Sequence, residues 1–172
     1  VKYLTLYAFS SENWNRPKLE VRALMELLVN TLAKETKTFM ENGVKLKTIG
    51  NINDLPTNCQ KTLTDTIELT KTNNKCVLTL ALSYGSRSEI VEATKAIAQK
   101  VAAGLLKPDD INEATISDHL YTQGIPDPDL MIRTSGEQRI SNYLLFQMAY
   151  TELCFLDKMW PKFKREDLFE AI

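Results

Sequence analysis

The chain has few of the residues that form metal centres, disulfide frameworks or membrane anchors. Its 172 residues include three cysteines and one histidine. Cys59, Cys76 and Cys154 have no C-x-x-C or metal-site spacing, which indicates reduced thiols in a cytoplasmic protein. No apolar run approaches the roughly eighteen residues of a membrane span, and the first residues do not follow a signal-peptide pattern. A disulfide scaffold and a membrane-spanning protein are therefore excluded.

The chain also lacks an excess of charge of either sign. Lys and Arg total 21 against 22 Asp and Glu, and no lysine-rich tract stands out. A broad nucleic-acid-binding surface is therefore not expected, and any anion site must be local. The composition, 44% hydrophobic and 25% charged, is that of a globular protein with a substantial core. We expect one domain over residues 1–172.

Apolar runs alternate with amphipathic segments along the whole chain. This alternation predicts an α/β fold with a mostly parallel central sheet flanked by helices. Ser86 and Glu89 have the spacing of a capping box. The expected strands are 2–9, 44–50, 76–84, 129–133 and 152–155, and the expected helices are 19–43, 56–72, 86–104, 116–121, 143–149 and one after Pro161.

Arginine is concentrated at the ends of the predicted strands. Of the six arginines, Arg16, Arg87, Arg133 and Arg139 directly follow strands, whereas the fifteen lysines lie mostly on helices and connections. Ligands of parallel α/β sheets bind beyond the carboxyl ends of the strands. The same segments carry hydroxyl and amide groups, and Gly85 and Gly136 would let backbone N–H groups approach a ligand. These polar residues are Ser10, Ser11, Asn13, Ser86, Ser135 and Ser141.

The stretch RTSGEQRISN, residues 133–142, places two arginines six positions apart. Neither a helix nor a strand would bring their side chains together. A turn at Ser135 and Gly136 would do so, and a guanidinium matches the oxygens of a phosphate or carboxylate. A phosphate-type site is favoured over a solvated polar loop, which is the alternative.

The helix expected over 19–43 is apolar around most of its circumference. Leu27 and Val29 add to the stripe formed by Val21, Leu24 and Leu28. Such a helix must be buried on more than one side, against a sheet and another helix, a subunit or a hydrocarbon cavity. From the pattern alone, a well-buried helix or a dimer interface is favoured over a hydrocarbon site.

Three segments, YAFSSENWNRP (7–17), SYGSRSEIVEA (83–93) and DLMIRTSGEQRISNYLLFQMAYTEL (129–153), closely resemble the cis-prenyltransferase family, specifically its bacterial undecaprenyl diphosphate synthases. The resemblance continues in order to WPKF. It implies the fold of that family and successive cis condensations of isopentenyl diphosphate onto farnesyl diphosphate, giving undecaprenyl diphosphate, the precursor of a cell-wall carrier lipid. It also implies a cytoplasmic homodimer, with transient contact between the inner membrane face and the lipid product.

The resemblance further implies roles for individual residues. Asn13 and Ser10 would be catalytic, with Asn13 positioning substrate or removing a proton. Glu152 would contribute to a Mg²⁺ site, reaching across the homodimer. The lone His119 is expected to be structural. The implied substrate-binding residues are Ser11, Trp14, Arg16, Glu20, Arg133, Glu137, Arg139 and Ser141; of these, Arg133, Arg139 and Ser141 would hold isopentenyl diphosphate and Arg16 the allylic diphosphate.

The sequence departs from the family at both ends. The family's N-terminal Asp-Gly-Asn-Gly-Arg-Trp motif, whose aspartate is the principal Mg²⁺ ligand, does not occur in these residues, nor does its arginine-rich C-terminal tail. We therefore expect these 172 residues alone to be inactive. Smaller differences, such as Ser135 in place of glycine, are expected to be tolerated.

Three alternative functions stay open at this point. A non-catalytic accessory subunit of a cis-prenyltransferase would lack the loop residues, and the presence of Asn13 and Trp14 argues against it. A synthase of different product length would share every motif, because length depends on the tunnel formed partly by residues 24–32. A sugar-phosphate binding protein would leave the apolar helix without a purpose.

Overall fold

The computed structural model describes all of residues 1–172. The chain forms two compact units, residues 1–123 and 124–172. No helix in either unit is both long and apolar enough to cross a bilayer.

The first unit is built on a three-stranded parallel sheet in the order β1-β3-β2. The central strand, β3, is buried from Thr79 to Tyr84, as its near-continuous apolar sequence predicts. The elements of this unit are β1 (Tyr3–Ser10), α1 (Lys18–Asn42), β2 (Val44–Ile49), α2 (Thr57–Thr70), β3 (Cys76–Tyr84), α3 (Ser86–Ala102) and α4 (Glu113–Ser117).

The core of this unit lies between the sheet, α1 and α2. Met25 and Leu32 of α1 pack with Cys59 and Leu63 of α2 and with Leu82 of β3. Each such leucine or methionine contributes about 1.5–3 kcal/mol when fully buried. The Thr70 hydroxyl of α2 also accepts a hydrogen bond from the Leu46 N–H of β2. This bond fixes the position of the helix along the strand, in addition to the apolar packing.

Helix α1 ends where the sequence predicts. Gly43 follows it with φ +67°, and its N–H donates to carbonyls of the last turn. The expected burial on several sides is only partly met within this unit. Leu27 is 61% exposed and Leu24 37% exposed, so one apolar side of α1 faces away from the core.

The capping box expected at Ser86 and Glu89 is wrong. The N-cap of α3 is Gly85, so Ser86 is already inside the helix and Glu89 lies one position too far along to complete the box. Glu89 is instead 1% exposed, and its carboxylate accepts hydrogen bonds from distant parts of the unit. The Glu89 carboxylate therefore stabilises the tertiary structure and does not cap the start of α3.

The second unit contains a two-stranded parallel sheet, β4 (Leu130–Arg133) and β5 (Glu152–Phe155), followed by α5 (Arg165–Ala171). The helix expected over 143–149 is absent, and this segment forms successive turns. Ser141, Asn142 and Leu144 have φ of +50°, +61° and +44°. Left-handed residues interrupt the repeating α-helical geometry, which explains why the apolar spacing misled the prediction.

Candidate active site

The end of β1 and the turn that follows it carry four of the predicted site residues. Ser10 ends β1 and lies beside Tyr84 of β3, at the carboxyl edge of the sheet. A turn of 3₁₀-helix follows over 11–15, and the side-chain oxygen of Asn13 accepts the N–H of Ser10 at 3.0 Å. Asn13 is thereby held against the strand end. The structure brings Ser10, Ser11, Asn13 and Trp14 into one short turn.

Trp14 is anchored on two sides. Its ring meets Phe9 edge-on, with centroids 4.9 Å apart, and its indole N–H donates to the Ser83 hydroxyl at 2.8 Å. Such an aromatic pair contributes about 0.5–1.5 kcal/mol beyond simple burial. Trp14 is half-buried, so the ring combines structural contacts with an accessible surface.

Arg16 follows the loop and lies beside Glu20, which belongs to the first turn of α1. Their charged atoms are 3.7 Å apart and both side chains are more than half exposed. An exposed pair of this kind contributes about 0–1 kcal/mol, so a multiply charged anion can displace Glu20 from Arg16 at little cost.

A cavity of about 380 Å³ lies at the carboxyl edge of the three-stranded sheet. Segments following all three strands line it: Ser11 after β1, Asn51 and Asp54 after β2, and Ser83 with Gly85 at the end of β3. This is where a parallel sheet is expected to hold its ligand. The sequence alone does not indicate Asp54 and Ser83, because no local pattern shows that the loop after β2 meets the end of β3.

A buried hydrogen-bond network supports this edge. The Tyr84 hydroxyl donates to Glu89 at 2.6 Å, and the Tyr121 backbone N–H donates to the other oxygen of that carboxylate at 2.8 Å. The Tyr7 hydroxyl donates to the Tyr84 carbonyl at 3.1 Å. Burial, and then the nearby charge of Glu12, raise the pKa of Tyr7 to about 12. Tyr7 is therefore a neutral donor at physiological pH.

In the second unit, the turn expected at Ser135 and Gly136 is present. Both residues are left-handed, with φ of +75° and +69°. The turn returns the chain to Arg133, whose guanidinium donates to the Ser141 hydroxyl at 2.7 Å and also to the Arg139 carbonyl. The loop is thus wrapped around the Arg133 side chain, which contacts the backbone of Arg139.

The backbone N–H groups of this turn do not serve the ligand as expected. The N–H of Ser135 donates to the backbone carbonyl of Lys158, and the N–H of Gly136 donates to the backbone carbonyl of Leu156, each at 2.9 Å. Gly136 therefore fixes the turn against the segment after β5. These two N–H groups are therefore not available to an anion.

Arg139 forms an ion pair with Glu137, and the two side chains are 65% and 43% exposed. This weak surface pair keeps the guanidinium near the turn without burying it. A diphosphate, which carries more charge than one carboxylate, would compete with Glu137 for Arg139.

Glu152 is not brought to the arginine loop. It begins β5 opposite Leu130, whereas Arg133 lies opposite Phe155 at the other end of the strand pair. Three residues of strand separate the two positions, roughly 10 Å. Glu152 is exposed, and residues 1–172 contain no group of three or more His, Cys, Asp or Glu side chains that could hold a metal ion. One carboxylate is a single ligand of the octahedral set that Mg²⁺ requires, so the residues present do not form a Mg²⁺ site by themselves.

The geometry alone is compatible with more than one α/β family, and similarity to known proteins identifies the family of this chain. The family model described as "Putative undecaprenyl diphosphate synthase" matches residues 1–172. This chain belongs to that family. An isoprenyl transferase of Clostridium perfringens is 51% identical over the whole chain, which covers 68% of the relative. The family assignment confirms the α/β class and the resemblance found in the sequence.

Two further proteins are similar to this chain. A ditrans,polycis-undecaprenyl-diphosphate synthase of Micrococcus luteus, specific for (2E,6E)-farnesyl diphosphate, is 46% identical over the chain, which covers 69% of its length. The crystal structure of lavandulyl diphosphate synthase from Lavandula x intermedia, in complex with dimethylallyl diphosphate, is 40% identical with a TM-score of 0.96. The match covers 99% of this chain and 74% of that one. The chain thus spans about two thirds to three quarters of the length of these proteins.

Proposed function

We propose that the protein is a cis-prenyltransferase that condenses isopentenyl diphosphate onto farnesyl diphosphate to make undecaprenyl diphosphate. The observation that carries the proposal is the loop of residues 133–141, in which Arg133 bonds the Ser141 hydroxyl and the Arg139 carbonyl. Membership of the undecaprenyl diphosphate synthase family supports the same reaction.

In this proposal Arg133, Arg139 and Ser141 hold the diphosphate of isopentenyl diphosphate. Arginine suits the task because its planar fork can donate two parallel hydrogen bonds to phosphate oxygens. Arg133 is already oriented by its contacts within the loop, so less side-chain freedom is lost on binding. Glu137 holds Arg139 until the substrate arrives.

Arg16 assists the allylic diphosphate in the proposed reaction. The bond between the allylic carbon and its diphosphate breaks as the double bond of isopentenyl diphosphate attacks, and negative charge gathers on the leaving group. Guanidinium groups stabilise that charge electrostatically. Arg16 is more than half exposed beside the loop of residues 10–15, and Glu20 opposes it only weakly.

Asn13 and Ser10 act at the reacting carbons, with Trp14 and Ser11 beside them. After the new carbon–carbon bond forms, a proton leaves C2 of the isopentenyl unit. Asn13 is assigned to positioning or proton removal; its side-chain oxygen accepts the Ser10 N–H, which fixes its direction. His119 is assigned a structural role, because its Nδ1 donates to the Thr115 carbonyl of the same segment at 2.7 Å.

The hydrocarbon tail is assigned to the exposed apolar side of α1, where Leu24 and Leu27 lie. Burying such side chains against a prenyl chain contributes about 25 cal/mol per Å² of apolar surface. A prenyl chain would cover the exposed apolar side of α1, whereas a sugar phosphate would not. Product length then depends on the space beside this helix.

We further propose that the enzyme is a cytoplasmic homodimer, contacts the membrane transiently through its product and uses Mg²⁺. Mg²⁺ would stabilise the charge of the leaving diphosphate. Glu152 is the candidate Mg²⁺ ligand in this chain. We assign no step of the reaction to it, because one carboxylate does not complete a Mg²⁺ site. The non-catalytic accessory subunit is the weaker proposal, because Asn13 and Trp14 are both present.

Incorporation of radiolabelled isopentenyl diphosphate tests the proposal. The protein that contains this chain is incubated with farnesyl diphosphate and Mg²⁺, and label is counted in the organic extract. We expect label in a lipid product whose chromatographic length equals undecaprenyl diphosphate. Absence of label from a correctly folded protein would overturn the proposal, and a product of another length would favour the alternative synthase.

A further inference from the structure

A chain of hydrogen bonds leads from Trp14 into the loop after β2. The indole N–H donates to the Ser83 hydroxyl at 2.8 Å, and that hydroxyl donates to a carboxylate oxygen of Asp54 at 2.7 Å. The Asn51 side-chain amide donates to the other carboxylate oxygen at 2.8 Å. Three separate segments of the first unit are joined through one serine hydroxyl.

The direction of each bond in this chain is fixed by the chemistry of its members. An indole N–H can only donate, and an ionised carboxylate can only accept. The Ser83 hydroxyl must therefore give its proton to Asp54, which turns an oxygen lone pair toward Trp14. Asp54 thus determines how well Ser83 accepts the indole.

The acceptor is also held rigidly by the backbone. Ser83 is 5% exposed and has φ +46°, a conformation that few residues other than glycine adopt. Its carbonyl accepts the N–H of Asn51 at 3.2 Å. Uncommon backbone conformations persist only where the surroundings enforce them, and they cluster at functional sites.

We propose that Ser83 and Asp54 are positioning residues that set the orientation of the Trp14 indole, and with it the turn of residues 10–15, at the edge of the 380 Å³ cavity. The effect on catalysis rests on the proposed function, whereas the effect on Trp14 does not. Neither residue touches the reacting atoms; both act through Trp14.

The indole N–H resonance of Trp14 reports directly on the chain of hydrogen bonds from Trp14 through Ser83 to Asp54. The chain has two tryptophans, so a ¹⁵N–¹H spectrum shows two indole signals, and Trp160→Phe assigns them. We expect the Trp14 N–H to exchange with solvent about five to ten times faster in Ser83→Ala, which removes its acceptor. Asp54→Ala, which leaves the acceptor but frees its rotation, should give about a two- to fivefold increase.

The control for Asp54→Ala is Asp65→Ala, an exposed aspartate on α2, which should leave the exchange rate unchanged. Asp54 is itself exposed, so its replacement leaves no void in the core and keeps the test valid if Ser83→Ala fails to fold. Wild-type exchange of the Trp14 N–H in Asp54→Ala, or in a folded Ser83→Ala, would overturn the proposal.

A double-mutant cycle separates positioning from general destabilisation. Ser83→Ala should lower kcat/KM for isopentenyl diphosphate incorporation about fivefold to tenfold. In a Trp14→Phe background, which has no indole N–H, the same change should have little further effect, because the interaction it removes is already lost. Equal losses in both backgrounds would refute action through Trp14. If the wild-type protein that contains this chain has no activity in the incorporation assay, the proposed function is refuted instead, and the exchange result stands.

Discussion

Gly50 is the position where a single methyl group should disturb the cavity edge most. It follows β2 with φ +106°, and a Cβ added there would lie 2.1 Å from the backbone carbonyl oxygen of Leu82. That oxygen belongs to a buried central strand and has no flexible side chain to move aside. Gly50→Ala must therefore shift the loop that carries Asn51 and Asp54 away from β3.

The magnitude follows from two additive effects. A residue with a side chain in such a strained conformation costs about 1–3 kcal/mol, and overpacking against a fixed neighbour costs a further 1–3 kcal/mol. We expect Gly50→Ala to lower the free energy of unfolding by about 3–4 kcal/mol. The assay is urea denaturation followed by circular dichroism.

Gly104→Ala is the matched control. Gly104 also has positive φ, +70°, but an added Cβ there would meet nothing within 4 Å. This variant should lose only about 1–2 kcal/mol, the penalty of a left-handed L-residue. Equal destabilisation by the two variants would show that the contact with Leu82 is unimportant, and would refute the reasoning.

Three further perturbations have defined outcomes. Glu89→Gln should lower the free energy of unfolding in urea by about 2 kcal/mol, because one accepting oxygen becomes an NH₂ group facing a donor. Tyr7 should ionise near pH 12 by absorbance at 295 nm; since its pKa is raised above 10, the stability it contributes is present below pH 10 and lost as pH rises through 12. Glu137→Gln should lower KM for isopentenyl diphosphate a few-fold, because an exposed ion pair that competes for Arg139 is worth about 0.2–1 kcal/mol.

Each of these perturbations has a control within the chain. Glu92→Gln, at an exposed residue of α3, should change stability by less than about 0.5 kcal/mol. Tyr7→Phe should remove the component of the tyrosine titration near pH 12, and its persistence would contradict the assignment. Glu166→Gln, on α5, should leave KM unchanged; an equal decrease there would show a general charge effect.

The elements defined by local sequence were predicted well. Gly43 ends α1, and the apolar run of residues 76–84 is the buried central strand, because both follow from chain stereochemistry and hydrophobic burial. The turn at Ser135 and Gly136 was also expected. Local patterns are sufficient where the determining forces act between neighbours in sequence.

The sequence-based predictions that are wrong, and the contacts that were not predicted, have a different cause. The segment 143–149 has helical spacing, but consecutive left-handed residues around Asn142 make it a series of turns. Glu89 matches a capping box locally, yet its carboxylate serves Tyr84 and the chain at Tyr121. The bond between Ser83 and Asp54 joins the end of β3 to the loop after β2, 29 positions away in sequence. Contacts between distant segments leave no local signal in a single sequence.

The most direct test of the central claim is the KM for each substrate in Arg133→Ala. The account predicts that KM for isopentenyl diphosphate rises about 10- to 100-fold, the loss of a charge-assisted hydrogen-bonding group worth about 1.5–3 kcal/mol. KM for farnesyl diphosphate should change little, and Arg22→Ala, at an exposed arginine paired with Glu26, should change neither. An unchanged KM for isopentenyl diphosphate, or equal increases for both substrates, would contradict the assignment of residues 133–141 as its binding site.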